Sequence, residues 1–390
     1  MGIHMTLPPK IEQVLLLFAL ETGRSVPQSA ECTRIRVLQT TKHPKTPQSL
    51  CSYPCSLGYR KSLKTGNLAC CFDCVQCNDG EITSGAAMET CESCPEDQWP
   101  SPTRNKCIKR PLHYLSFEEV LGMSLVVIAT VFFGTASSVL WVFIKYRNTP
   151  LVKANNQNLS YALLVSLMIC FLLSFIFIGQ PKELTCLMRQ TTFVFVFAVA
   201  ISSVLGKTLT VLVVFNTTKP GSKLRKCVGS RISTGLVILC SLGELIICLT
   251  WLIFAPPFVE LDTKTIPGTI IVQCNEGSII AFYVAVSYIG ALAVFCFIVA
   301  FISRKLPDTF NEAQHITFSM LVFCSVWMSF IPTYLSTKGK YMVAVEIFAI
   351  LASNGALLCF IFFPKCYIIL LRPDRNTKRD IKVKIFKIYG

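Results

Sequence analysis

The residues with the most chemistry to offer are cysteines, and their spacing divides them into two sets. Of the 20 cysteines in the 390 residues, ten lie in the first 107 positions and ten from Cys170 onward. Nine of the first ten crowd into one block: Cys51, Cys55, Cys70, Cys71, Cys74, Cys77, Cys91, Cys94 and Cys107. Two chemistries fit this spacing. Cys74-x-x-Cys77 and Cys91-x-x-Cys94 have the spacing of a zinc ribbon, in which paired thiolates close a tetrahedral site. The alternative is a disulfide framework, because the block holds too few apolar residues to build a core and must be cross-linked. Thiolate zinc sites suit reducing compartments, whereas this block abuts a membrane span on the side that the charge distribution makes extracellular. Disulfides are the reading, and no metal is assigned. Nine is odd, so one cysteine pairs elsewhere or stays free, with Cys32 the remaining upstream candidate.

No catalytic constellation accompanies the thiols. His4, His43, His113 and His315 are scattered, without an acid or nucleophile in reach, and no glycine-rich phosphate loop is present. An enzyme is not expected, and no cofactor is implied. Residues 186–207 carry a different kind of chemistry. This apolar stretch has Cys186 at one end and Lys207 at the other, a separation that spans roughly 30 Å as a helix, one bilayer core. Cys274 falls on the side of Cys186, which permits a disulfide. Glu312 falls on the side of Lys207, where two readings stand: an ion pair joining two helices, or two boundary side chains that each snorkel to water. Arg189, Glu244 and Glu346 also lie within apolar runs. Arg189 is expected to snorkel at the outer end. Glu244 and Glu346 lie deeper, where such groups face the bundle interior or an ion path.

The elements that must position these residues are membrane helices. Mean hydropathy is +0.55 and charged residues make up 15%, against about 25% in a soluble chain. Apolar runs at 120–144, 159–178, 187–215, 232–254, 279–302, 316–335 and 341–363 are each long enough to cross a bilayer. Pro332 is expected to kink the sixth. The net charge of +15 does not signal nucleic-acid binding, because the basic residues fall between and after the spans. The first, third and fifth connections carry Lys145, Arg147 and Lys153, then Lys219, Lys223, Arg225, Lys226 and Arg231, then Arg304 and Lys305. The tail adds Lys365, Arg372, Arg375, Lys378, Arg379, Lys382, Lys384 and Lys387. The other connections hold Lys182, Lys264, Lys338 and Lys340 among Glu183, Glu260, Asp262 and Glu276. The first set is therefore cytoplasmic and the cysteine block extracellular. Four regions follow: a leader over 1–47 with a faint signal-like run, a cysteine-rich domain over 48–110, a seven-helix domain over 111–370 and a basic tail over 371–390. The fold class is an all-α membrane protein, a seven-transmembrane helix bundle preceded by a small disulfide-rich extracellular domain.

Several segments resemble class C G-protein-coupled receptors, and most closely the vomeronasal type 2 (pheromone) branch. The block from C-S-Y-P-C to C-E-S-C-P is similar to the family's cysteine-rich linker. N-T-P-L-V-K-A-N-N at 148–156, T-K-P-G-S at 218–222 and R-K-L-P-D-T-F-N-E-A at 304–313 resemble its three inner loops. W-M-S-F-I-P-T-Y at 327–334 and F-P-K-C-Y-I-I-L-L-R-P at 363–373 resemble the sixth helix and the end of the seventh. The resemblance implies a Cys186–Cys274 bridge and an inner ionic lock of Lys207 with Glu312. It places Trp327 and Phe330 in a transmembrane allosteric pocket. It implies linker bridges Cys51–Cys71, Cys55–Cys74, Cys77–Cys91 and Cys94–Cys107, with Cys70 the cysteine that reaches a ligand-binding domain. Inner-loop residues Lys219, Lys223, Arg225, Arg304 and Lys305 would face a heterotrimeric G protein, Go-type in this branch. The receptor would sit in the plasma membrane as a homo- or heterodimer.

One departure matters. The family places a bilobed Venus-flytrap module before the linker, and residues 1–47 are too few to form one, so the expectation is a truncated product in which Cys70 lacks its usual partner. The alternatives are a calcium-sensing or amino-acid-type receptor of the same class, a non-signalling dimer partner and, remotely, a transporter using Glu244 or Glu346. The topology makes one direct prediction. The sequon Asn216-Thr217-Thr218 lies on the cytoplasmic side and stays unmodified. Peptide-N-glycosidase treatment of the protein from mammalian cells should leave its electrophoretic mobility unchanged, and a mobility shift that Asn216→Gln abolishes would reverse the assigned orientation.

Overall fold

The structure, a computed structural model, describes residues 52–63, 71–86, 88–154, 156–217, 230–304 and 312–372. It divides into two compact units at Pro111 and Leu112. In the first, three antiparallel ladders follow one another: β1 (Tyr59–Leu63) with β2 (Phe72–Gln76), β3 (Glu81–Ile82) with β4 (Glu92–Ser93), and β5 (Gln98–Pro100) with β6 (Cys107–Lys109). Strands of two to five residues bury almost no apolar surface, and such ladders are not stable alone. Disulfides Cys55–Cys74, Cys77–Cys91 and Cys94–Cys107 hold them, closing spans of 19, 14 and 13 residues. Cys71 is disulfide-bonded too; Cys51 and Cys70 lie outside the described residues. Between the cross-links, the buried Thr83 hydroxyl accepts from the Gly58 amide at 2.7 Å, and the Arg110 guanidinium lies 5.0 Å from the Trp99 ring centre.

The second unit is the helix bundle. Its spanning helices are α1 (Val120–Lys145), α2 (Gln157–Phe177), α3 (Glu183–Thr217), α4 (Ser230–Phe254), α5 (Ile279–Ser303), α6 (Glu312–Ser336) and α7 (Lys340–Leu371). All seven are long and apolar enough to cross a membrane. A single turn, Pro150–Ala154, joins α1 to α2. Burial identifies the axis: 72% of the apolar window of α3 is enclosed, against 28% for α1, α4 and α6. α3 packs against α2, α4 and α5, and α7 packs against α6, α2 and α1. The shared core is mostly aliphatic and phenylalanine, with Phe171, Phe197, Leu163, Leu164, Leu167, Ile201, Ile316, Ile350 and Phe362 fully enclosed.

The apolar runs locate the spans but stop short of the helix ends. α3 starts four residues before its run, at Glu183, and α7 continues past Phe363 and Pro364 to Leu371. Hydropathy ends where the bilayer ends, whereas a helix continues while its backbone hydrogen bonds do. Lys365, assigned above to the tail, is therefore a buried residue of α7. On the outer side, β8 (Phe258–Asp262) and β9 (Ile270–Asn275) form an antiparallel hairpin between α4 and α5, and β7 (Leu112–His113) adds to β9 in parallel. Gly277 ends this hairpin at φ +69°, and a Cβ there would meet the carbonyl oxygens of Pro256 and Ala255 at 2.5 and 2.7 Å.

Because bridges rather than a core hold the first unit, reduction should act on it selectively. Each closed loop of 13–19 residues contributes about 3 kcal/mol in the chain-entropy account. Under mild reductant, proteolysis should cut within residues 72–109 while the helical circular dichroism of the bundle persists. Protection of that segment after complete reduction would show a core that the burial pattern does not contain.

Candidate functional site

α3 is fastened near its outer end, where Cys186 is bonded to Cys274 of β9 with the Cα atoms 5.5 Å apart. Both cysteines are buried. Opposite Cys274 in the ladder stands Val259, and the next pair is Phe258 with Asn275, so the bridge joins α3 to the paired core of the hairpin rather than to a free loop. Beyond it, the Trp251 indole N–H donates to the Glu276 carbonyl oxygen at 2.9 Å, and the Tyr334 hydroxyl donates to Glu276 Oε1 at 3.2 Å. One residue thus ties the hairpin to α4 and to α6.

Below this lies a buried ion pair. Arg189 Nη2 is 3.0 Å from Glu346 Oε2, with side-chain exposures of 5% and 7%. The Arg189 guanidinium also lies 4.3 Å from the Phe177 ring centre. Arg189 does not snorkel. It is six residues after Glu183, and Glu346 is six after Lys340, so both sit at one depth below outer helix ends. The early start of α3 hid this match. Removing two charges from water costs several kcal/mol each, and pairing offsets that cost.

Next along α3, Phe193 and Phe197 meet Trp327 at ring-centre distances of 5.9 and 5.5 Å. Trp327 packs on Phe330 at 5.1 Å and on Phe323 at 6.1 Å. Pro332 lies in α6 without ending it. Trp327 Nε1, Arg189 Nε and Gln190 Oε1 are buried without a hydrogen-bond partner among the described residues. The unused indole donor belongs to the aromatic cluster itself. Glu244 of α4 is fully buried, and its Oε1 lies 3.7 Å from the Cys248 thiol.

At the inner end the expected lock paired Lys207 with Glu312, and the contacts seen there are different ones. Lys365 Nζ is 2.5 Å from Glu312 Oε1, joining α7 to α6. Lys207 Nζ donates to Ser160 Oγ at 2.7 Å, joining α3 to α2. Lys207 and Lys365 both act electrostatically on Glu312. Glu312 thus pairs with Lys365, and Lys207 lies within electrostatic reach of the same carboxylate. Sequence reasoning missed Lys365 because it was counted with the tail; its signal was the helix-compatible run Cys366–Leu371 beyond it. Ser160 gave no signal, since a serine in a span is most often bonded to its own helix. Of the inner-loop residues, Arg304 is exposed, with its guanidinium 3.7 Å from the Phe301 ring centre. Lys219, Lys223, Arg225 and Lys305 lie outside the described residues.

A seven-helix membrane receptor architecture with a cysteine-rich outer domain is thus on view, and two family matches meet it. Residues 115–365 match the family described as the 7 transmembrane sweet-taste receptor of 3 GCPR, and residues 46–100 match the nine cysteines domain of family 3 GPCR. The chain belongs to this family, the class C G-protein-coupled receptors, whose members are signalling receptors rather than enzymes. Within it, the chain is 48% identical over 353 residues to mouse vomeronasal type-2 receptor 26, covering 90% of this chain and 41% of that protein. It is 45% identical over 338 residues to the human extracellular calcium-sensing receptor, covering 87% and 31%. Human G-protein coupled receptor family C group 6 member A follows at 36% over 333 residues, covering 85% and 35%. The chain therefore spans well under half the length of these relatives. It is a multi-pass protein of the plasma membrane with its cysteine-rich domain outside.

The Arg189–Glu346 pair makes a stability prediction. Glu346→Gln or Arg189→Met alone should cost about 3–5 kcal/mol by leaving one buried charge uncompensated. The double variant Arg189→Met/Glu346→Met should recover most of that loss. Unfolding midpoints in lipid nanodiscs read the difference, and additive single losses would mean that the two groups do not interact.

Proposed function

We propose that this chain is a chemosensory, pheromone-type receptor that signals across the plasma membrane to a heterotrimeric G protein. The observation that carries the reading is the largely buried Lys365–Glu312 ion pair between the inner ends of α6 and α7, with Lys207 in its electrostatic field. In a membrane interior an ion pair is a two-state fastener: closed, it satisfies both charges; open, it must expose them to the cytoplasm. Opening frees the inner end of α6 and creates a crevice flanked by the basic inner loops. Lys219, Lys223, Arg225, Arg304 and Lys305 would then meet the G protein, of Go type by the vomeronasal likeness. The greater identity to vomeronasal type-2 receptors than to the calcium-sensing receptor supports the chemosensory branch.

Two further assignments belong to this reading. Trp327 and Phe330, with Phe193 and Phe197, would line a transmembrane pocket for allosteric ligands, next to the unused polar atoms of Trp327, Arg189 and Gln190. Cys186–Cys274 would hold α3 still at its outer end, so that motion concentrates at the inner end. The receptor would act as a homo- or heterodimer.

Releasing the fastener tests the proposal. Glu312→Gln and Lys365→Met should each raise ligand-independent G-protein activation, measured in cells with matched surface expression. A loss of 1–2 kcal/mol from the closed state corresponds to roughly a 5–30-fold change in its equilibrium with the open one. Lys207→Met should raise it as well, since its charge acts on the same carboxylate. A panel of α-subunits reads the selectivity. Basal activity unmoved by all three variants would support a non-signalling partner instead.

A further inference from the structure

A cavity of about 400 Å³ lies on the outer side of the bundle, between the β8–β9 hairpin and the ends of α6 and α7. Strand register decides its chemistry. Glu260 and Asp262 are two apart on β8 and share a face. Their ladder partners Gln273 and Ile271 carry the same face onto β9, joined there by Asn275. All five line the cavity, with Glu276 at the end of the hairpin. Across from them stand Tyr334, Leu335 and Met342, and Lys338 is the cationic lining residue. One wall is therefore acidic and amide-rich, and the other largely apolar.

The carboxylates are oriented by neutral donors. Glu260 Oε2 accepts from Gln273 Nε2 at 3.2 Å and Asn275 Nδ2 at 3.0 Å. Asp262 Oδ1 accepts the Lys264 and Thr265 amides at 2.8 and 3.1 Å, and its Oδ2 accepts the Thr265 hydroxyl. Glu276 Oε1 accepts from Tyr334. Among the described residues none of the three is in a salt bridge. Glu260 Oε1 and Glu276 Oε2 accept no hydrogen bond there either. The Thr265 hydroxyl foremost, then the Lys264 amide, holds the Asp262 carboxyl below the usual carboxylate range. Three preorganised anions facing one lysine leave the cavity short of positive charge.

We propose that this cavity binds a compact organic dication, two ammonium or guanidinium groups joined by a short methylene chain. Same-face residues two apart on a strand lie roughly 7 Å apart, a spacing that suits charges separated by about four or five carbons. The connecting methylenes would lie on Leu335, Met342 and Ile271. A metal ion fits less well, because no three His, Cys, Asp or Glu side chains among the described residues are grouped to hold one. The site also has a route into the bundle. Glu276 touches both the cavity and Tyr334 of α6, so an occupant bears on the contact that ties the hairpin to that helix.

The test is calorimetric titration of the full chain, in nanodiscs of zwitterionic lipid, with 1,5-diaminopentane, after subtraction of empty nanodiscs. Saturable binding is expected, with butylamine at least tenfold weaker. Glu260→Gln and Asp262→Asn should each weaken the diamine about tenfold, the loss of one charge-assisted contact. Lys338→Met, at an exposed position that competes for the same carboxylates, should tighten it about threefold, a gain that a misfolded variant would not show. No saturable binding, equal binding of butylamine, or diamine binding unchanged in the Glu260→Gln/Asp262→Asn double variant would overturn the assignment. Calcium chloride binding more tightly than the diamine, with the same sensitivity to the variants, would overturn it in favour of a metal site.

Discussion

A charge inside a bilayer needs an opposite charge or a hydrogen-bond partner within the protein, and the bundle is arranged around that need. Arg189 and Glu346 satisfy it in the outer half, Lys365 and Glu312 in the inner half. Lys207, buried at the foot of α3, takes the Ser160 hydroxyl and shares the field of Glu312. These contacts link α3 to α7, α7 to α6 and α3 to α2. Apolar packing alone is weakly directional in lipid, because tails are as apolar as leucine. The ionic contacts therefore specify which helices are neighbours at each level.

The two ends of α3 are treated differently. Outside, a covalent bond to β9 fixes its position, and hydrogen bonds from Trp251 and Tyr334 to Glu276 extend the anchorage to α4 and α6. Inside, the connections are ionic and reversible. Between them an aromatic stack, Phe193 and Phe197 against Trp327, Phe323 and Phe330, couples α3 to α6 without a polar contact. Under the proposed function, a helix anchored above and fastened electrostatically below would pass a change at the hairpin to the cytoplasmic end. The outer hairpin is thus bonded to three of the helices.

Much of this was legible beforehand, and the failures have physical causes. The spans and their direction were readable because hydropathy and basic residues are properties of segments, accumulated over twenty positions. Arg189 was misjudged as a snorkelling side chain because its apolar run begins four residues after its helix does. Lys365 was placed in the tail for the mirror-image reason, since α7 outlasts its run. An error of one turn at a helix end is small for topology but decides whether a charge faces water or the interior. The hairpin between α4 and α5 was not foreseen, because two strands of five and six residues leave little pattern in a loop rich in polar residues.

The sequence by itself determined the number of crossings, their orientation, the separate cysteine-stabilised outer domain and membership of the class C receptors. Each rests on composition or motif, which need no knowledge of neighbours. The tertiary structure alone decided that Glu312 meets Lys365 as well as the field of Lys207, that Arg189 finds Glu346, and that Glu260, Asp262 and Glu276 line a common cavity. Those outcomes depend on which helices adjoin, how each is rotated about its axis and how two strands are registered. Such relations are set by packing between distant segments, 157 positions apart for Arg189 and Glu346, beyond what any local pattern encodes.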